Sequence, residues 1–157
     1  EFRRVLFRSL PAGVWILLRL ITSFCGVFGF SIMFNSPVRL AATAAGIGAI
    51  ANTLRLEMVD MTAIPPAGAA FVGALTAGIL ASLIKSKVGY PRISLTVPSI
   101  VIMVPGMYLY RGFYNLGIMS LGPAASWFVS AILIIAALPL GLIFARILTD
   151  ETFRYCT

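Results

Sequence analysis

Residues 93–117, ISLTVPSIVIMVPGMYLYRGFYNLG, hold the groups best placed to do chemistry in this chain. Pro98 removes one intrahelical hydrogen bond, and Pro105 removes another just before Gly106, whose backbone is the freest of all residues. A non-helical stretch at membrane depth survives only where it is buried in protein or lines a cavity, and transporters form binding sites at such discontinuous helices. A half-helix expected to begin near Met107 would offer free N–H groups and a positive dipole end, followed by Tyr108, Tyr110 and Arg111. Arginine suits a carboxylate there, because its planar fork binds both oxygens. Pro105, Gly106, Met107, Tyr108, Tyr110 and Arg111 are therefore the candidate substrate-binding residues. The residues leave one alternative open, that the prolines only kink a helix and Arg111 snorkels to the interface.

The rest of the polar inventory is small, and it excludes more than it suggests. The chain has no His, which removes imidazole metal sites and Ser-His catalysis. No G-x-x-x-x-G-K-[ST] string is present, so nothing points to an ATP-driven pump. No nucleophile–base pair can be assembled, so an enzyme is not expected, and no cofactor or metal is implied. Glu57 and Asp60 are the internal acids and the candidates for proton coupling; as plain structural groups they would be solvated loop acids partnered by Arg55. Asn35, Arg39, Asn52 and Asn115 are further polar candidates, for a transport path or for hydrogen bonds between helices. Cys25 in an apolar stretch and Cys156 at the end of the chain read as two reduced, unpaired thiols.

The elements that must position these groups belong in a bilayer. Of the 157 residues 60% are hydrophobic and 11% charged, whereas a soluble domain is about 25% charged and could not coat itself with so little polar surface. Uncharged runs predict an all-α fold of five transmembrane helices over about 12–34, 39–55, 61–84, 93–111 and 124–146, the fourth broken by Pro98 and by Pro105–Gly106. Arg19 lies near the start of the first run, where its side chain could snorkel. No run shows the period-2 alternation of a membrane β-strand. Residues 1–9, EFRRVLFRS, read as a non-native arm and are set apart from the five-helix domain at 10–157.

The net charge of +7 is read as a topology signal and not as a nucleic-acid footprint. Five spans would place Arg39, Lys85, Lys87, Arg92, Arg146 and Arg154 on one side, against Arg55 and Arg111 on the other once the arm is discounted. The positive-inside rule then puts the N-terminus outside and the C-terminus in the cytoplasm. Ala69, Gly73, Ala77 and Ala81, with the adjacent stripe Ala70, Ala74, Gly78 and Ser82, follow the i, i+4 spacing that lets helix backbones approach closely. Ala42, Gly46 and Gly48 form a weaker version in the second run, which suggests packing of the second helix on the third.

Two stretches, GFSIMFNSPVRLAATAAGIGAIANTLR and TVPSIVIMVPGMYLYRG, resemble the second, five-helix half of the threonine/serine exporter family. The distinguishing strings are FN-x-P-x-R (Phe34, Asn35, Pro37, Arg39) and VPG-x-x-x-Y (Val104, Pro105, Gly106, Tyr110), within a resemblance that runs from about Ala12 to the end. The resemblance implies ion-gradient-driven export of a small carboxylate metabolite, a threonine- or serine-type amino acid or a succinate-type dicarboxylate, from a bacterial inner membrane. It also implies a partner, a larger membrane subunit carrying the other five helices and a cytoplasmic domain, although a homo-oligomer is the other assembly left open. The competing reading is a structural or regulatory membrane subunit that scaffolds a partner transporter.

Overall fold

The structure, a computed structural model, describes residues 12–62 and 64–150; the 1–9 arm, Glu151, Arg154 and Cys156 lie outside them. Among the described residues the chain forms α1 (Ala12–Met33), α2 (Val38–Met61), α3 (Pro66–Val88), α4 (Arg92–Val101), α5 (Gly106–Gly117) and α6 (Leu121–Thr149). Proline sets four of the starts: Pro37, Pro65, Pro91 and Pro105 stand at the N-caps of α2, α3, α4 and α5, and Pro66 is the first residue of α3. A proline has no N–H to leave unsatisfied at a helix start, and its fixed φ suits the first turn. The stops use left-handed residues. Asn35 (φ 56°) ends α1 with Ser36 N–H donating to the Ser31 carbonyl and Asn35 N–H to that of Ile32, and Met119 (φ 58°) repeats the pattern after α5.

Among the described residues three helices, α1, α3 and α6, are long and apolar enough to cross a membrane, and the bent pair α4–α5 makes a fourth if it counts as one span. This corrects the expected five. The second run is a helix of 24 residues, about 36 Å at 1.5 Å per residue, so length does not disqualify it. Apolarity does: apart from Leu40 and Ile47 its buried positions are Ala, Gly, Asn and Thr, and Arg55, Glu57 and Asp60 all lie on the helix because it runs on to Met61. α2 packs against α1, α3 and α4, so much of its surface meets protein and small side chains serve it better than lipid-facing bulk.

The fourth run also differs from expectation. The structure ends α4 at Val101 and begins α5 at Gly106, with a bend of 41° between them. Pro98 does not break the helix; α4 passes through it. One proline removes a single hydrogen bond, and the next residue ties this stretch down. Ser99 is fully buried, and its hydroxyl lies 2.6 Å from the Leu95 carbonyl and 2.9 Å from that of Ala44 on α2. A Cβ on Gly48 would fall 2.9 Å from the Ser99 carbonyl, so α2 and α4 cross backbone to backbone here.

The core runs along α3. Ala69, Ala70, Gly73, Ala74, Ala77, Gly78 and Ala81 are all buried, and the two stripes meet different neighbours. A Cβ on Gly73 would meet Arg55 and the Ala51 carbonyl of α2 at 3.2 and 3.3 Å, whereas one on Gly78 would meet Ala145 of α6 at 2.5 Å. The α3–α6 contact is the most extensive in the fold. The expected α2 contribution through Ala42, Gly46 and Gly48 is corrected: Ala42 is exposed, Gly46 faces open space, and Gly48 meets α1 and α4. Ala42 and Gly46, four residues apart, share an outward face, and Gly48, two residues further on, points about 200° away from Gly46.

Candidate functional site

Two polar systems lie between α1 and α2, at the end of the molecule where α1 begins and α2 ends. Arg19 is 7% exposed, and its Nη1 lies 2.7 Å from Glu57 Oε1 while its Nη2 pairs with Asp60 Oδ2. The guanidinium also sits 4.6 Å from the centre of the Trp15 ring. Arg19 therefore does not snorkel to the interface as the sequence suggested; two carboxylates hold it inside, where a lone cation would be costly. Nor are Glu57 and Asp60 loop acids of Arg55. They stand three residues apart on one face of α2, directed at α1, while Arg55, two residues before Glu57, is turned about 200° away.

Arg55 belongs to the second system. Its Nε donates to Asn52 Oδ1 at 3.1 Å, and Asn52 Nδ2 donates to Ser23 Oγ at 2.8 Å, a fully buried link from α2 to α1. Arg55 also lies near the bend. A Cβ on Gly73 would come within 3.2 Å of both the Arg55 Cβ and the Met103 sulfur, and Met103 is fully buried within the 102–105 break. Among the described residues Asn52 is the hydrogen-bond partner found for this half-buried guanidinium, which leaves its two Nη groups free to bind a further acceptor.

The six candidate residues of the bend are not all gathered in one place. Pro105 is buried, and Tyr108 is half-buried with its ring 5.5 Å from Trp127. Gly106, Met107, Tyr110 and Arg111 are exposed, and Arg111 lies over the Trp127 ring at 4.8 Å. Gly106 N–H donates to the Val104 carbonyl at 2.8 Å and Tyr108 N–H to that of Pro105 at 3.1 Å, so tight turns already use two of the amides expected to be free. The Met107 N–H keeps no backbone acceptor. α5 is held to α6 through Gly112, where a Cβ would come within 3.0 Å of the Phe128 ring.

The remaining sequence candidates have local roles. Asn35 is the left-handed stop of α1, Asn115 Nδ2 donates to the Arg111 carbonyl one turn back, and Arg39 is exposed at the start of α2. Cys25 is a free thiol. The sequence reading missed Ser23 and the inward face of Arg55. The available signal was weak: Ser23 and Asn52 lie 29 residues apart, and only the antiparallel pairing of α1 and α2 brings them together.

A family model described as "Threonine/Serine exporter, ThrE" matches residues 19–148. The chain belongs to the threonine/serine exporter family. The matched span contains the Arg19 and Arg55 systems, the bend and nearly all of α6, so this exporter-family domain is the membrane-helical body itself and its role is that of a transporter. No significant match is found among curated proteins or solved structures.

Proposed function

We propose that this exporter-family chain moves a small carboxylate metabolite, a threonine- or serine-type amino acid or a succinate-type dicarboxylate, outward across the bacterial cytoplasmic membrane. It works as one half of an assembly with a larger membrane subunit that carries the other five helices and a cytoplasmic domain. The crossings are α1, α3, α6 and the α4–α5 pair taken as one span, with α2 sheltered among them. The end that carries Lys85, Arg92 and Arg146 then faces the cytoplasm.

The family match carries this reading, and the geometry refines which residue meets the substrate. Arg55, half-buried beside the α4–α5 break with its Nη groups unengaged, suits a carboxylate better than Arg111, which lies exposed on Trp127. A guanidinium in a sheltered site discriminates for a planar carboxylate through two parallel hydrogen bonds. Tyr108, half-buried in the first turn after the break, is the residue proposed to orient the rest of the ligand.

The test is efflux of labelled threonine, serine and succinate from cells carrying this chain with and without its larger partner. Flux requiring both chains supports the two-component exporter; flux from this chain alone replaces it with a homo-oligomer. Arg55→Ala is expected to lower flux about 10- to 100-fold, the value of about 1.5–3 kcal/mol for a hydrogen bond to a charged group, with Arg55→Lys recovering little. Arg111→Ala should leave flux nearly normal. A folded Arg55→Ala protein with full flux would move the carboxylate contact elsewhere, and full flux in both variants would favour a chain that only scaffolds its partner.

A further inference from the structure

The opposite end of the molecule holds a cavity of about 340 Å3 lined by Lys85, Arg92 and Arg146, with Asp150 as its acid and Ile93 and Ile143 on its walls. The three cations come from three helices. Lys85 is in the last turn of α3, Arg146 in the last turn of α6, and Arg92 is the first residue of α4. A helix C-terminus favours the first two, and the N-terminus of α4 adds its own positive end to the same space. Asp150 lies 3.9 Å from Arg146 Nε, so among the described residues one carboxylate and three bases line the cavity.

The arrangement is held in place. Arg92 Nη1 lies 3.4 Å from Thr149 Oγ1, and Thr149 Oγ1 lies 3.0 Å from Ser82 Oγ, which links α4, α6 and α3. The other Nη of Arg92 lies over Gly78, where a Cβ would come within 3.3 Å of it. The glycine thus lets the guanidinium rest across the α3–α6 seam. Lys85 and Arg146 each stand three residues before the end of an apolar helix, about one turn or 5 Å inside it. A helix that crosses the roughly 30 Å hydrocarbon core brings its last turn towards the headgroup region. Ile93 is 69% exposed and Ile143 46%, so an apolar surface continues from the basic cavity along the outside of α4 and α6.

A small soluble anion would need the cations alone. Cations joined to an exposed apolar track match an amphiphile. We infer that this cavity binds the phosphate of an anionic phospholipid headgroup, with the acyl chains lying along Ile93 and Ile143. The site is separate from the Arg55 system and does not depend on which metabolite is carried. A lipid seated there joins α3, α4 and α6 at their shared end, next to the helix that leads into the bend.

The full chain purified in detergent is mixed with phosphatidylglycerol and phosphatidylcholine of identical acyl chains, and the lipids retained are counted by native mass spectrometry. Wild type is expected to retain phosphatidylglycerol preferentially, and Arg92→Gln or Arg146→Gln should each reduce that preference about fivefold, the usual contribution of one cation near an anionic lipid surface. Lys85→Gln, at an exposed position that folding tolerates, should act in the same direction. Equal retention of the two lipids by wild type overturns the inference, as does a preference that survives all three substitutions. Displacement of the phosphatidylglycerol by millimolar inorganic phosphate also overturns it, because the site would then be one for a soluble anion.

Discussion

The α3–α6 contact and the α1–α2 contact solve the same problem by different chemistry. Lipid gives apolar helices no hydrophobic reason to leave it, so helices associate through close packing or through polar groups that need each other. α3 and α6 use packing: a Cβ on Gly141 would fall 2.5 Å from the Phe71 carbonyl and 2.9 Å from Ala74, and one on Gly78 would strike Ala145. α1 and α2 use the Arg19–Glu57–Asp60 cluster and the Ser23–Asn52–Arg55 chain. A packed seam of small residues is permanent. Paired charges and hydrogen bonds, unlike interlocked glycines, can exchange partners.

The comparison can be broken at its strongest point first. Arg19→Ala leaves Glu57, with its side chain only 21% exposed, unpaired beside α1, and removal of one partner of a buried ion pair costs about 3–5 kcal/mol. We expect little folded protein by detergent gel filtration, and partial rescue when Glu57→Gln is added. A stable Arg19→Ala chain would show that the charges contribute nothing to the α1–α2 contact. Asp60→Asn should be mild by the same measurement, since Asp60 is 55% exposed.

Next comes the packed seam. Gly141→Ala places a methyl group against the Phe71 backbone, which has no rotamer to yield, and overpacking of this kind costs about 1–3 kcal/mol. Thermal unfolding should begin at lower temperature, and Gly46→Ala, where the added Cβ meets nothing, is the matched control. Equal unfolding of the two variants would mean that the seam is looser than the distances imply. The smallest effect is expected for Asn52→Ala, which removes the link to Ser23; such bonds between membrane helices average about 0.6 kcal/mol. The measurement that separates the two halves is flux: Asn52→Ala should disturb transport more than stability, because Asn52 also positions Arg55.

How far the sequence could be read differs along the chain for a physical reason. α1, α3 and α6 are legible as apolar runs, because contact with lipid imposes apolarity residue by residue. The Pro105–Gly106 break is legible because it is a local covalent property: proline lacks a donor. Pro98 looks the same in sequence, yet the helix passes through it, because whether a proline breaks or merely weakens a helix depends on what surrounds the freed groups, here the buried Ser99 against α2. The extent of α2 was misread at Arg55, since charge normally marks an end, whereas the helix runs on and Glu57 and Asp60 beyond it pair with Arg19 of α1.

By itself the sequence determined that the chain is a bundle of apolar helices, where most of them start, which residues are small enough for close approach, and the family to which it belongs. These are properties of composition, local backbone chemistry and spacing along one helix. Only the tertiary structure decided which helix each stripe meets, that Arg19 is held by Glu57 and Asp60, that Arg55 bonds to Asn52 beside α3, and that Lys85, Arg92 and Arg146 share one cavity. Those pairings join residues up to 67 positions apart (78 to 145) on different helices, and one sequence carries no record of which long-range partner closes an ion pair or lines a cavity.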